Sequence, residues 1–189
     1  MGAESPSHRL IAMSHPRPPK PAKLVIGLFV QKQELMAAVA ANLMESFGPI
    51  DMISPLFPFD FTTYYEKEMG YPLVRRIFVF KSLIQQDDLA DIKLRTNEIE
   101  MLYSADGMRQ VNIDPGFLLM ERMVLATGKN FAHRIYIGKC IYADLTLIYQ
   151  QNGYQTLPWT YPDYAHLSIR HFLSLVRNKY MEDLKEVLQ

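Results

Sequence analysis

Side chains that could do chemistry are concentrated in residues 112–164, where ionisable and aromatic residues mix with turn formers more densely than elsewhere. The candidates for catalysis are Asp114, His133 and Asp144, and those for ligand binding are Lys129, Arg134, Trp159 and Tyr161. We interpret this segment as the functional surface. The residue types alone identify no reaction, so the chain is not assigned as an enzyme from them.

Lys129, His133 and Arg134 fall within six residues, immediately before a predicted strand. Three donors at this spacing could bind a phosphate or carboxylate, with Arg134 in bidentate fashion and Lys129 as a point charge. The alternative is a solvated loop of charges without fixed partners.

Two aspartates could act as metal ligands or general bases. Asp114 begins an Asp-Pro-Gly sequence at the end of a predicted strand, where the alternative is a turn aspartate that bonds its own backbone. Asp144 interrupts an otherwise apolar strand, and a buried carboxylate is costly unless it is paired. The spacing favours a pair with Arg134 across a hairpin, which would be structural or functional.

The aromatic sequence WTYPDY contains Trp159, Tyr161 and Asp163. Flat aromatic side chains near polar groups can stack on a base or another ring. The alternative is that these rings pack a last helix onto the sheet, with Asp163 as its N-cap.

Apolar patterning predicts an α+β fold. The expected elements are a strand at 23–30, a helix at 33–47, a short strand near 50, a strand at 73–81, a helix to about 103 that Asp87 or Asp88 caps, and a strand at 110–113. This is the ferredoxin-like βαββαβ order, an antiparallel sheet with both helices on one face. The alternative is a doubly wound α/β sheet, which requires a further helix, and only the short segment 62–70 could supply it.

The ferredoxin-like core is extended by a β-hairpin and a long C-terminal helix. The hairpin joins residues 134–137 and 140–150 through a Gly138-Lys139 type II′ turn, and the helix runs from Asp163 to about 187. We expect residues 1–22 to form a flexible proline-rich tail and residues 23–189 to form a single α+β domain.

Composition excludes several classes of protein. Twenty basic residues balance twenty acidic ones, which disfavours non-specific nucleic-acid binding. The single cysteine, Cys140, permits neither an internal disulfide nor a Cys-rich zinc site, and it fits the cytoplasm. No apolar run reaches the length of about 18 residues typical of a membrane span. The GxxxxGK[ST], GxGxxG, HExxH and GxSxG signatures are missing.

Three long motifs carry a family resemblance: NIDPGFL, KNFAHRIYIGKCIYADLTLIY and WTYPDY. With them the chain, from about residue 23 onward, resembles a bacterial family catalogued as domain of unknown function 4416. Some members of that family bear the label "GTP-binding protein", whereas this sequence lacks the phosphate loop of GTPases. Family members often carry Gly where this chain has Cys140 and Glu where it has Asp144. The resemblance therefore implies no catalytic role for Cys140. It also implies that the position of Asp144 carries a carboxylate in other family members.

These observations lead to one main functional hypothesis, a cytoplasmic protein that binds an anionic small molecule such as a nucleotide or phosphate ester. Lys129, His133 and Arg134 would hold the anion. Asp114 and Asp144 would bind a divalent metal or act as general base, and Trp159 or Tyr161 would stack on the organic part. Metal-assisted hydrolysis or phosphoryl transfer would be the reaction class. The alternative is a non-catalytic protein-interaction module that is homodimeric through its sheet.

Overall fold

The computed structural model describes residues 15–187. Most of the predicted tail, residues 1–14, lies outside the described part. Residues 15–20 are exposed and belong to no helix or strand, and the first strand begins at Ala22. Among the described residues, no helix is both long and apolar enough to cross a membrane.

The chain forms eleven strands and five α-helices in the described range. The strands are β1 (Ala22–Val30), β2 (Ile50–Ile53), β3 (Phe57–Phe59), β4 (Leu73–Ile84), β5 (Ser104–Ala105), β6 (Met108–Arg109), β7 (Val111–Leu118), β8 (Arg122–Thr127), β9 (Arg134–Gly138), β10 (Ile141–Gln150) and β11 (Gly153–Thr156). The helices are α1 (Leu35–Phe47), α2 (Glu66–Met69), α3 (Leu89–Leu102), α4 (Pro162–Ala165) and α5 (Leu167–Val187). A turn of 3-10 helix, Gln86–Asp88, leads into α3.

Nine strands make one sheet, in the order β11-β10-β8-β7-β1-β4-β2, with β3 beside β4 and β9 beside β10. Every pairing in the described part of the chain is antiparallel. The predicted α+β class is therefore confirmed, and the doubly wound alternative, which needs parallel strands, is wrong. The finer assignment to the ferredoxin-like fold stays a prediction, as does the single domain.

Strand β1 lies between β7 and β4 in the sheet and is buried on both faces. Leu24, Ile26 and Leu28 pack in one core cluster with α1 and α3, whereas Val25 packs in another that contains α5. Because successive side chains of a strand point to opposite faces, a strand between two helical layers must be apolar throughout. The run LVIGLFV, residues 24–30, meets this requirement, and it lies between α1 and α3 on one face of the sheet and α5 on the other.

The predicted turn at Asp114-Pro115-Gly116 is wrong, because β7 continues through these residues to Leu118. Pro115 lacks a backbone donor, and its nitrogen faces the same side as that of Ile113 because the backbone alternates. On that side β8 pairs with β7 only from Gly116 onward. No hydrogen bond is lost at Pro115, so the strand tolerates it.

Two further local predictions differ from the structure. The hairpin turn is at Lys139-Cys140, both with positive φ, and not at Gly138-Lys139. Two positive φ angles are typical of a type I′ turn, whose twist suits a hairpin. Strand β11 was not predicted. The long last helix is interrupted at His166, whose backbone is extended, so that α4 and α5 are separate.

Candidate functional site

The sheet opens between β7 and β8, which pair over only three residues of β7, Gly116 to Leu118. Beyond that point the backbone of Ile113 is bound by side chains of α3. Its N–H donates to Glu100 Oε1 at 2.6 Å, and its carbonyl oxygen accepts from Lys93 Nζ at 2.9 Å. Two side chains of a helix thus satisfy the groups that a neighbouring strand would otherwise bind.

A cavity of about 860 Å³ lies at this opening. The volume is within the range typical of small-molecule sites. Its aromatic lining consists of Phe29, Phe59, Phe61, Tyr64, Tyr65, Tyr161 and Tyr164. Its charged lining consists of Arg75, Lys93, Glu100, Arg109, Asp114, Lys129, Arg134, Asp144 and Asp163.

Arg75 forms the floor of the cavity. It is fully buried, pairs with Asp163 and donates from Nη2 to the hydroxyl of Tyr164 at 2.7 Å. Its guanidinium carbon is 4.4 Å from the centroid of the Tyr164 ring. Gly27 makes this position possible, because a Cβ there would collide with Arg75 Nη2. The predicted N-cap role of Asp163 is wrong, since its carboxylate pairs with Arg75 and not with the helix backbone.

A second arginine, Arg109, ties the α2 segment to β7. It binds both carboxylate oxygens of Glu68, at 2.7 and 2.8 Å, and donates to Asn112 Oδ1 at 3.0 Å. Its hydrogen bonds hold the pKa of Glu68 below the ordinary value. Burial instead raises the pKa of Glu100, which lies 3.5 Å from Arg109.

Asp144 is buried and bound by two basic side chains. Arg134 donates from Nε at 2.9 Å, and Nε2 of His133 lies 3.2 Å from the same carboxylate oxygen. Arg134 and Asp144 are opposite each other in the β9–β10 pairing, so the pair predicted across the hairpin is present. Arg134 also donates to the carbonyl of Lys129 and to the hydroxyl of Tyr161. Its guanidinium therefore holds together the loops that flank the cavity.

Five of the seven predicted residues converge on the cavity: Asp114, Lys129, Arg134, Asp144 and Tyr161. His133 and Trp159 are outside its lining. Their rings stack on each other at 4.9 Å with 10° between the planes, and the indole donates to the carbonyl of Leu145 at 2.8 Å. His133 thus reaches the cavity only through Asp144.

Two lysines line the cavity, and neither forms a salt bridge among the described residues. Lys93 is buried and donates to the carbonyl of Ile113, whereas Lys129 is exposed. Among the described residues no carboxylate oxygen lies within 4.0 Å of its ammonium group. It donates to the hydroxyl of Tyr64 at 3.3 Å and lies 4.9 Å from the centroid of that ring. Across residues 15–187, no group of three or more His, Cys, Asp or Glu side chains is arranged to hold a metal ion.

Residues 20–180 match the family model described as Domain of unknown function (DUF4416). The chain belongs to the DUF4416 family. The matched range includes every residue that lines the cavity, from Phe29 to Tyr164. No curated protein and no solved structure matches the chain. Because the description of the DUF4416 family names no activity, the function must be argued from the cavity itself.

Sequence reasoning did not find the other charged residues of this DUF4416 cavity. Arg75 lies in the apolar strand LVRRIFVFK, and a charge within such a run is a signal that a buried partner exists. Lys93 and Glu100 are seven residues apart, about two helical turns, and hence on the same face of α3. Two charged residues on the buried face of a helix could have indicated that this pair contributes to a site. The position of Arg109 depends on Glu68, which is far away in the sequence.

Proposed function

We propose that this chain is a ligand-binding protein whose cavity takes a small organic anion with a planar ring, such as a nucleotide or another phosphate ester. One observation carries the proposal: Lys129, an exposed cation with no carboxylate partner among the described residues, lies at an aromatic cavity of about 860 Å³. The net charge of the whole chain is zero, so any attraction for an anion must be local.

The contacts of Arg134 and Lys129 give these two basic residues different roles. Each nitrogen of the Arg134 guanidinium already donates a hydrogen bond, to Asp144, to the Lys129 carbonyl and to Tyr161. Arg134 is therefore a positioning residue for the loop that carries Lys129. In the described part of the chain, the ammonium of Lys129 has the Tyr64 hydroxyl and ring as its partners, so this exposed group is available to an incoming anion.

The rings around Lys129 supply the apolar part of the site. Tyr64 and Tyr161 are both exposed and line the cavity, where a planar ring can stack on them. Burial raises the pKa of Tyr161, so its hydroxyl stays protonated and can donate a hydrogen bond at neutral pH. A charged group paired with exposed rings is the combination that a nucleotide or an aromatic phosphate ester requires.

The test is a thermal-shift and calorimetric screen of nucleotides and sugar phosphates on the full chain. A ligand at about 100 times its Kd should add about 2.7 kcal/mol. For a protein of this size, each kcal/mol raises Tm by about 2–4 °C. Lys129→Met should weaken binding by about tenfold or more, because it keeps the apolar stem and removes the charge.

The matched control is Lys139→Met. Lys139 is in the hairpin turn, outside the cavity lining, and pairs with Asp91 on the surface. This variant should bind as the wild type does. A screen without any bound anion would overturn the proposal, and so would a Lys129→Met variant of unchanged affinity.

The reaction predicted from the sequence, metal-assisted hydrolysis or phosphoryl transfer, stays a prediction. Asp144, one of its proposed metal ligands or bases, has its carboxylate bound by Arg134 and His133. The cytoplasmic location likewise stays a prediction.

The second candidate is the homodimeric interaction module, which exposed apolar residues of β9 favour. Ile135 and Tyr136 are 70% and 58% exposed, on a strand that pairs only with β10 among the described residues. A free apolar strand edge can pair with another strand. Light scattering should then report a dimer for the wild type and a monomer for Ile135→Lys. A monomeric wild type would remove this candidate.

A further inference from the structure

Asp114 differs from the other carboxylates that line the cavity. Asp144 is bound by Arg134 and His133, and Asp163 is paired with Arg75. Glu100 accepts the backbone N–H of Ile113, as described above. Each of these three carboxylates therefore has a charged or backbone donor at short range.

The two oxygens of Asp114 have a single close donor in the described part of the chain. Oδ1 accepts from Asn112 Nδ2 at 2.9 Å. Oδ2 lies 3.7 Å from Arg75 Nη2, too far for a hydrogen bond, and that nitrogen donates instead to Tyr164. A carboxylate offers about four acceptor positions, so most of those of Asp114 are free. Its side chain is 31% exposed and lines the cavity.

Asp114 lines the same cavity as the tyrosine rings of Tyr65, Tyr161 and Tyr164. Burial is the main cause that raises the pKa of Tyr65, Tyr161 and Tyr164, and the negative charge of Asp114 adds to the rise at each. The charge of one carboxylate thus contributes to the pKa of three tyrosines. Tyr161 is the exposed ring of the three, and a planar ligand that stacks on it lies in the same cavity as the free oxygens of Asp114.

We propose that Asp114 determines the specificity of the cavity by accepting a hydrogen bond from an amino group on the edge of the ligand's ring. The ligand class is then an amino-substituted heteroaromatic anion, held by Lys129 at its anionic group and by Asp114 at its amino group. This inference rests on the proposed function. Beyond the proposed function, the inference specifies the ring of the ligand. A carboxylate attracts an N–H donor and repels a carbonyl oxygen at the same position.

The experiment compares two pairs of nucleotides that differ in one amino group. Adenosine and inosine 5′-monophosphates form one pair, and cytidine and uridine 5′-monophosphates form the other. Calorimetry with the full-length wild type should show that at least one amino nucleotide binds about tenfold or more tightly than its oxo counterpart. Asp114→Asn replaces acceptors by an amide that can also donate, so it should bring that ratio to about one or reverse it.

The outcomes separate the two proposals. Equal binding of the amino and oxo nucleotides by the wild type overturns the role of Asp114 and leaves the proposed function standing. Failure of all four nucleotides to bind overturns this inference, while other phosphate esters in the earlier screen still test the proposed function. If Asp114→Asn does not fold, the ratios measured on the wild type decide the matter alone.

Discussion

Removing Asp163 should destabilise the protein strongly, because it leaves the guanidinium of Arg75 buried without its main partner. The side chains of Arg75 and Asp163 are only 2% and 6% exposed. Breaking a buried pair from one side costs about 3–5 kcal/mol. In Asp163→Ala the guanidinium keeps its hydrogen bond to Tyr164 and has Asp114 at 3.7 Å. We therefore expect the lower end of the range, about 3 kcal/mol.

Urea denaturation at pH 7 measures this loss, and a thermal scan should show a Tm lower by about 6–12 °C, from 2–4 °C per kcal/mol. The matched control is Glu98→Ala, which breaks an ion pair with Arg95 whose partners are 58% and 48% exposed. Exposed pairs contribute about 0–1 kcal/mol, so this variant should stay near the wild type.

A third variant separates the cost of an unpaired charge from the value of the pair. Arg75→Met combined with Asp163→Leu removes both charges and fills the space with apolar groups. Such replacements are often neutral or stabilising, so the double variant should recover most of the loss. The reasoning is refuted if Asp163→Ala loses no more stability than Glu98→Ala does.

Other predictions concern close packing and pH. Gly116→Ala should cost about 1–3 kcal/mol in urea denaturation, because the added Cβ would collide with the carbonyl oxygen of Val124, whereas Gly128→Ala meets nothing and should be nearly neutral. Burial works to raise the pKa of Asp183, but hydrogen bonds from two lysines lower it overall, so its stabilisation is present above pH 3.8 and is lost below. Asp183→Asn should therefore flatten the fall in unfolding free energy as the pH drops below 3.8, and an unchanged slope would contradict this. For Glu100, burial raises the pKa above 4.5, so stability should fall as the pH rises past that value, and Glu100→Gln should lack this fall in the same titration.

Two features of the fold were predicted correctly, although the turn of the hairpin was not. The pair between Arg134 and Asp144 was expected across the hairpin, and the two residues are opposite each other because the β9–β10 pairing shifts register between Ile141 and Tyr142. The strand at 23–30 follows from an apolar run. In both cases the deciding contacts involve neighbours in the chain or simple burial.

Features that depend on distant contacts were missed or wrong. Asp-Pro-Gly favours a turn locally, but here it pairs with β1 as part of a strand. The strand tolerates Pro115 because β8 does not pair with β7 at that residue. Arg75 appeared as one of two arginines in a strand, while its partner Asp163 is 88 residues later in the chain. No local pattern predicts which arginine turns inward to the cavity. The convergence of Asp114 and Lys129 depended on the same long-range arrangement.

The opening between β7 and β8 also has a consequence for aggregation. It creates unpaired strand backbone inside a sheet, and such backbone can recruit strands from other molecules. With a net charge of zero, the chain has little electrostatic repulsion to keep copies apart. Lys93 and Glu100 bind the backbone of Ile113 and so shield this inner edge. Helix α3, which borders the cavity, thereby also protects the protein from self-association at the opening between β7 and β8.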